Sequence, residues 1–165
     1  MNDRELTEHK HYESGRAEVD ARDVPGSSSE PWINVVQAYE PVSMPACDYM
    51  LKTETLRERV KGSVLDVAAG SCWLTAKVSR QASVERVYAL DLSEHFLRTV
   101  GTRMLRHLGA DCRKVTFVVS DFNEIPIDSG AIDCALFFAG LHHSRSPIKT
   151  LEEVARCVRR RGAII

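Results

Sequence analysis

Ser63-Val64-Leu65-Asp66-Val67-Ala68-Ala69-Gly70-Ser71-Cys72-Trp73 is the stretch that decides the fold. Residues 63–70 form a short apolar run bounded by small residues, which reads as a buried strand. Residues 72–81 then carry a helical pattern. A strand that turns into a helix through Ala68, Ala69 and Gly70 leaves little side chain in the way of a ligand. It also presents the unpaired N–H groups of a helix start.

The same alternation continues downstream. Residues 86–92 (RVYALDL) read as a second strand and 94–108 as a helix, with Leu97, Val100, Met104 and Leu108 on one face. Ser93 is its N-cap and Gly109 its end. Residues 115–120 (VTFVVS) read as a third strand and 132–139 (IDCALFFA) as a fourth. Ser146-Pro147 opens another helix whose apolar positions Ile148, Leu151, Val154, Ala155 and Val158 fall three or four apart. Residues 162–165 (GAII) begin a fifth strand.

Short apolar strands alternating with amphipathic helices specify an α/β fold, a doubly wound and mostly parallel sheet of about five strands covered on both faces. Ligands of such sheets lie beyond the carboxyl ends of the strands, where the winding reverses. Chemistry is therefore expected at 66–73, 91–93, 121–122 and 140–143.

Upstream, Ser43-Met44-Pro45 starts a helix, with Ala46, Tyr49, Met50, Leu56 and Val60 able to share a face and Gly62 placed to stop it. Residues 1–31 carry twelve charged residues in their first thirty and end in PGSSSEP, the composition of a flexible arm and linker. An arm that orders over a ligand, with Tyr12 and Trp32 as contacts, is the alternative. The expected organisation is an arm over 1–31, a helical segment over 32–62 and an α/β domain over 63–165.

The chain has 165 residues, 44% hydrophobic and 27% charged, which is ordinary for a globular domain. No apolar run approaches the ~20 residues of a membrane helix. The polar first ten residues are no secretory signal, so the expectation is a cytoplasmic protein. With 22 basic and 23 acidic residues there is no basic excess to suggest nucleic acid. Five widely spaced cysteines with no CxxC argue against disulfides or a metal site. Arg156, Arg159, Arg160 and Arg161 read as cations at a helix C-terminus.

Asp91 closes the second strand 21 residues after Gly70. A carboxylate there can accept both hydroxyls of a ribose. A nicotinamide site would ask for G-x-G-x-x-G, whereas this chain has Ala68-x-Gly70-x-x-Trp73. Trp73 fills the third glycine position, which disfavours an oxidoreductase. A P-loop is absent.

The chain resembles the class I S-adenosylmethionine-dependent methyltransferases, closest to small-molecule and quinone-biosynthesis types. Residues 64–72 follow V-L-D-x-[GA]-x-G-x-G up to the last glycine, which is Cys72 here. Residues 87–93, 117–122 and 132–143 (with Leu141-His142-His143) match the next three motifs in order. Leu151, Glu153, Val154 and Arg156 match the helix motif before the fifth strand, with Arg160-Arg161 in place of the usual Pro-Gly.

The resemblance implies S-adenosylmethionine as cofactor and a small-molecule acceptor; the charge balance, the cysteine spacing and the lack of a long apolar run give the expectation of no nucleic-acid, metal or membrane partner. It implies Asp66 near the methionine amino group, Ala68 and Gly70 along methionine and ribose, and Asp91 on the ribose hydroxyls. Leu92 would pack on adenine, and Asp121 would meet its amino group with Phe122 beside the ring. Ala139 to His142 would face the methyl donor, with His142 and then His143 as candidate bases.

Family sheets usually run past the fifth strand. The expectation is thus a C-terminally short domain: a truncated product, a fragment, or a chain whose fifth-strand edge a second copy or partner covers. An inactive cofactor-binding scaffold is the alternative function, and a nucleic-acid or protein methyltransferase stays open.

Overall fold

A computed structural model describes residues 43–165. The expected arm, with Tyr12 and Trp32, and the start of the helical segment lie outside the described residues. Two short helices come first, α1 (Ser43–Lys52) and α2 (Glu54–Arg59). They lead into β1 (Gly62–Val67), α3 (Trp73–Ser79) and β2 (Val84–Asp91). A π-helical turn, Phe96–Gly101, runs on into α4 (Thr102–His107), followed by β3 (Val115–Val119) and β4 (Ile132–Phe137). Then come α5 (Pro147–Cys157) and β5 (Val158–Ile164).

The five strands form one sheet in the order β3-β2-β1-β4-β5, and every pairing is parallel. The alternation of side chains along β1 explains the two cores. Val64 packs with Trp73, Leu74, Val78 and Met104 on the α3–α4 face. Leu65 and Val67 pack with Phe122, Val154 and Cys157 on the α5 face. Each fully buried Val or Leu contributes about 1.5–3 kcal/mol. Winding starts at β1 and runs outward through β2 and β3, then restarts from β1 through β4 and β5. The reversal therefore lies between β1 and β4, as the sequence pattern requires.

Local signals explain several boundaries. The Ser93 hydroxyl accepts the Phe96 N–H at 3.0 Å and caps the helix as expected. At its other end Gly109 takes φ +63, its N–H reaches Arg106 O and the Ala110 N–H reaches Leu105 O. That pair of bonds is the glycine-closed helix end the sequence announces.

Four expectations are corrected. In α1 the packed residues are Met44, Cys47 and Leu51, while Ala46, Tyr49 and Met50 are exposed. Choosing the other apolar stripe rotated the helix. In α5 the buried residues are Thr150, Val154 and Cys157, and Ile148, Leu151 and Ala155 face outward.

Gly62 opens β1 instead of stopping a helix. A Cβ there would collide with the Asp133 carboxylate, which accepts the Ser63 N–H at 2.7 Å. Of the four arginines only Arg156 lies in α5, where it pairs with Glu153. Arg159, Arg160 and Arg161 belong to β5, and Arg159 pairs with Asp133 at 2.5 Å.

The helix-to-strand reversal is made inside β5. Val158 pairs with Ile132 and Ala163 with Cys134, so Arg159 to Gly162 form a tight excursion with Arg161 at φ +69. Regular pairing resumes at Ala163, close to the expected strand start.

Candidate cofactor site at the carboxyl ends of the strands

Four strand ends build the site. The β1 exit carries Asp66 and the turn Ala68-Ala69-Gly70. The Ala69 N–H bonds Leu90 O, the Cys72 N–H bonds Ala69 O, and Ala68, Gly70 and Cys72 all take positive φ. A left-handed residue is cheapest as glycine, which is why Cys72 stands out in sequence. Its thiol fits because Gly101 of the π-helical turn faces it: a Cβ on Gly101 would lie 2.8 Å from Cys72 Sγ. Burial pushes the Cys72 thiol well above its usual range, so the helix start does not activate it.

Asp91 ends β2 and ties the two exits together. One carboxylate oxygen accepts the Gly70 N–H at 2.9 Å and the other the Ser93 N–H at 2.9 Å. Asp66 is 2% exposed and accepts the Thr75 hydroxyl at 2.5 Å. Burial pushes its carboxyl up to about 7. The Thr75 hydrogen bond works against that rise and the Asp91 charge adds to it.

At β3 the Asp121 carboxylate accepts the Asn123 backbone N–H at 2.9 Å and its Nδ2–H at 2.8 Å, both on Oδ1. Its Oδ2 accepts the guanidinium of Arg145. Burial pushes this carboxyl up, but the hydrogen bonds from Asn123 and Arg145 outweigh it and hold the group below the usual carboxylate range. Phe122 is buried in the α5-face core.

At β4 the backbone turns through Ala139 at φ +55 into Gly140. A Cβ on Gly140 would lie 2.5 Å from Ala68 Cβ and 3.0 Å from Val67 O. Glycine is thus what lets the β4 exit close against the β1 exit. A short helical turn, Leu141–His143, follows. His142 and His143 are exposed, with ring centroids 4.0 Å apart.

The structure brings Asp66, Ala68, Gly70, Asp91, Leu92, Asp121, Phe122 and Ala139 to one edge of the sheet, with His142 and His143 at the rim. Thr75 and Arg145 were not singled out by the sequence reading. Each acts only through a contact made by the fold, nine and twenty-four residues from its carboxylate. The wide groove of about 1100 Å³ lined by Asp48, Arg57, Lys77 and Arg80 lies elsewhere, along α1, α2 and the end of α3.

A family model described as a methyltransferase domain matches residues 65–165. The chain belongs to the class I S-adenosylmethionine-dependent methyltransferase family. It is 27% identical over 132 residues to an uncharacterised chloroplastic methyltransferase of Arabidopsis thaliana, covering 78% of this chain and 38% of that protein. It is 35% identical over 102 residues to demethylmenaquinone methyltransferase of Clavibacter sepedonicus, covering 62% and 39%.

The chain thus spans about two fifths of the length of these curated relatives. Among solved structures, a SAM-dependent methyltransferase from Aquifex aeolicus superposes with TM-score 0.61 at 22% identity, covering 78% of this chain and 67% of that one. That likeness shows the fold.

The methyltransferase family's cofactor is S-adenosylmethionine, and the residues present fit it. Gly70 and Gly140 keep the backbone bare at two strand ends, and the Asp91 carboxylate is held beside Gly70. Among the described residues no group of His, Cys, Asp and Glu could hold a metal, and no helix is long and apolar enough to cross a membrane.

Proposed function

We propose that this chain binds S-adenosylmethionine and carries methyl transfer to a small-molecule acceptor by direct displacement. The observation that supports it most is Asp91, fixed by the Gly70 and Ser93 N–H groups where two ribose hydroxyls would be received. The cofactor supplies a sulfonium methyl that is already activated, so the protein has mainly to align and to exclude water.

Asp91 receives the ribose and Asp66 the methionine ammonium. Asp121 meets the adenine amine, with Leu92 and Phe122 along the ring. Ala139 and Gly140 border the methyl, and His142, with His143 next to it, takes the acceptor's proton on a ring nitrogen. The name of the Clavibacter relative favours a quinol-like aromatic acceptor. Cytoplasmic location belongs to the same proposal.

Thermal melting with S-adenosylhomocysteine tests the reading. At about one hundred times the dissociation constant the ligand adds about 2.7 kcal/mol. For a domain of this size the midpoint rises by about 5–10 °C. NAD is expected to leave the midpoint unchanged, and Asp91→Ala to lose the response. A cooperative melt that ignores S-adenosylhomocysteine would sink the proposal.

A further inference from the structure

The Asp121 carboxylate is engaged on both of its oxygens. Its Oδ1 accepts two hydrogen bonds from Asn123, which fills both lone-pair directions. Only Oδ2 remains, and the Arg145 guanidinium sits on it.

The partner comes from across the site. β3 and β4 are separated by β2 and β1 in the sheet, about 14 Å at the usual strand spacing. The ion pair therefore links the two loops that flank the β1 and β2 exits.

The loop carrying Arg145 is held together by its own hydrogen bonds. The His143 N–H bonds Gly140 O at 3.0 Å, and the Ser144 N–H bonds Leu141 O at 3.1 Å. At its far end the Ser144 and Thr150 hydroxyls are 2.6 Å apart, and the Ser146 N–H bonds Ser144 Oγ. At its near end lie Ala139, strained at φ +55, and Gly140. Arg145 joins this loop to the β3 exit.

Resting on the proposed cofactor reading, we propose that Arg145 is a positioning residue that competes with the adenine amine for Asp121 Oδ2. Adenine binding then breaks the tie between the β3 exit and the 141–146 loop, which carries His142 and His143 and keeps its anchors at Gly140 and Thr150. With Arg145 on Asp121 the acceptor side is strapped to the adenine side. The loaded protein frees the histidine loop from the β3 exit and leaves a guanidinium at the rim, beside the imidazoles.

The test is calorimetric. S-Adenosylhomocysteine and its analogue with hydrogen in place of the 6-amino group are titrated into wild type, Arg145→Gln and Arg145→Lys. A half-exposed ion pair contributes about two- to fivefold in affinity. Arg145→Gln should therefore bind the amine-bearing ligand about two- to fivefold tighter than wild type and the analogue equally well. Arg145→Lys should return towards wild type.

Amide exchange over 141–146 supplies a second readout. It should speed up with S-adenosylhomocysteine more than with the analogue. Equal affinities for wild type and Arg145→Gln would overturn the inference, and so would an equal change for both ligands or a weaker amine complex. Wild type that binds neither ligand would overturn the cofactor reading itself, and the inference with it.

Discussion

The β1–β2 side of the site and the β4 side are built differently. At β1 and β2 the groups are buried and locked: Asp91 by two backbone N–H groups, Asp66 by Thr75, and the connecting turn by its left-handed residues. At β4 the chain exposes two histidines on a short turn, restrained through Arg145. On the proposed function, the cofactor would meet a prebuilt surface and the acceptor a loop.

The pH response of Asp66 should show that contrast most strongly. Its folded carboxyl lies near 7, raised from 3.8 by burial, so the folded state binds the proton more tightly than the unfolded chain. Its stabilising contribution is complete below about pH 4 and is lost as pH rises through about 7, of the order of 4 kcal/mol at 1.36 kcal/mol per unit. Denaturation curves of Asp66→Asn should lack this loss, while a parallel decline in both proteins would remove Asp66 from the locked set.

Next in size is Gly140→Val, whose Cβ meets Ala68 and Val67 O. It should cost about 2–3 kcal/mol and lower the midpoint by about 5–10 °C. Gly109→Ala also occupies a positive φ, but nothing lies within 4 Å of the new methyl. Only backbone strain remains, about 1 kcal/mol by denaturant titration. A Gly109 cost equal to that of Gly140 would say that packing at the β1–β4 junction is loose.

His142→Ala should change stability and S-adenosylhomocysteine affinity by less than about 0.5 kcal/mol, because the ring is exposed. Its effect belongs to the acceptor step. A large loss of cofactor affinity would make the two sides one site.

Much of this was legible in the sequence, for particular physical reasons. Strands β1 and β4, and β2 from Val87 onward, are largely buried runs, and buried runs announce themselves without periodicity. The place of Asp91 was legible because a carboxylate closing the second strand falls, in this fold, beside the turn at Gly70. The faces of α1 and α5 were not, because each helix carries two apolar stripes and sequence does not say which meets the sheet. Ile148 fits the periodicity of α5 and is nonetheless 73% exposed. Cys72 was read as a departure from a glycine pattern. Its compensation, Gly101, lies in another element and has no local signature. Thr75 and Arg145 act on carboxylates reached only through the fold.

The most direct measurement of the central claim is a residue-resolved amide titration with S-adenosylhomocysteine. The account predicts one saturable site, with the Gly70, Ser93 and Asn123 amides shifting together and the β5 amides of Arg160 and Arg161 unmoved. Absence of shifts at Gly70 and Ser93 while the protein remains folded would contradict it.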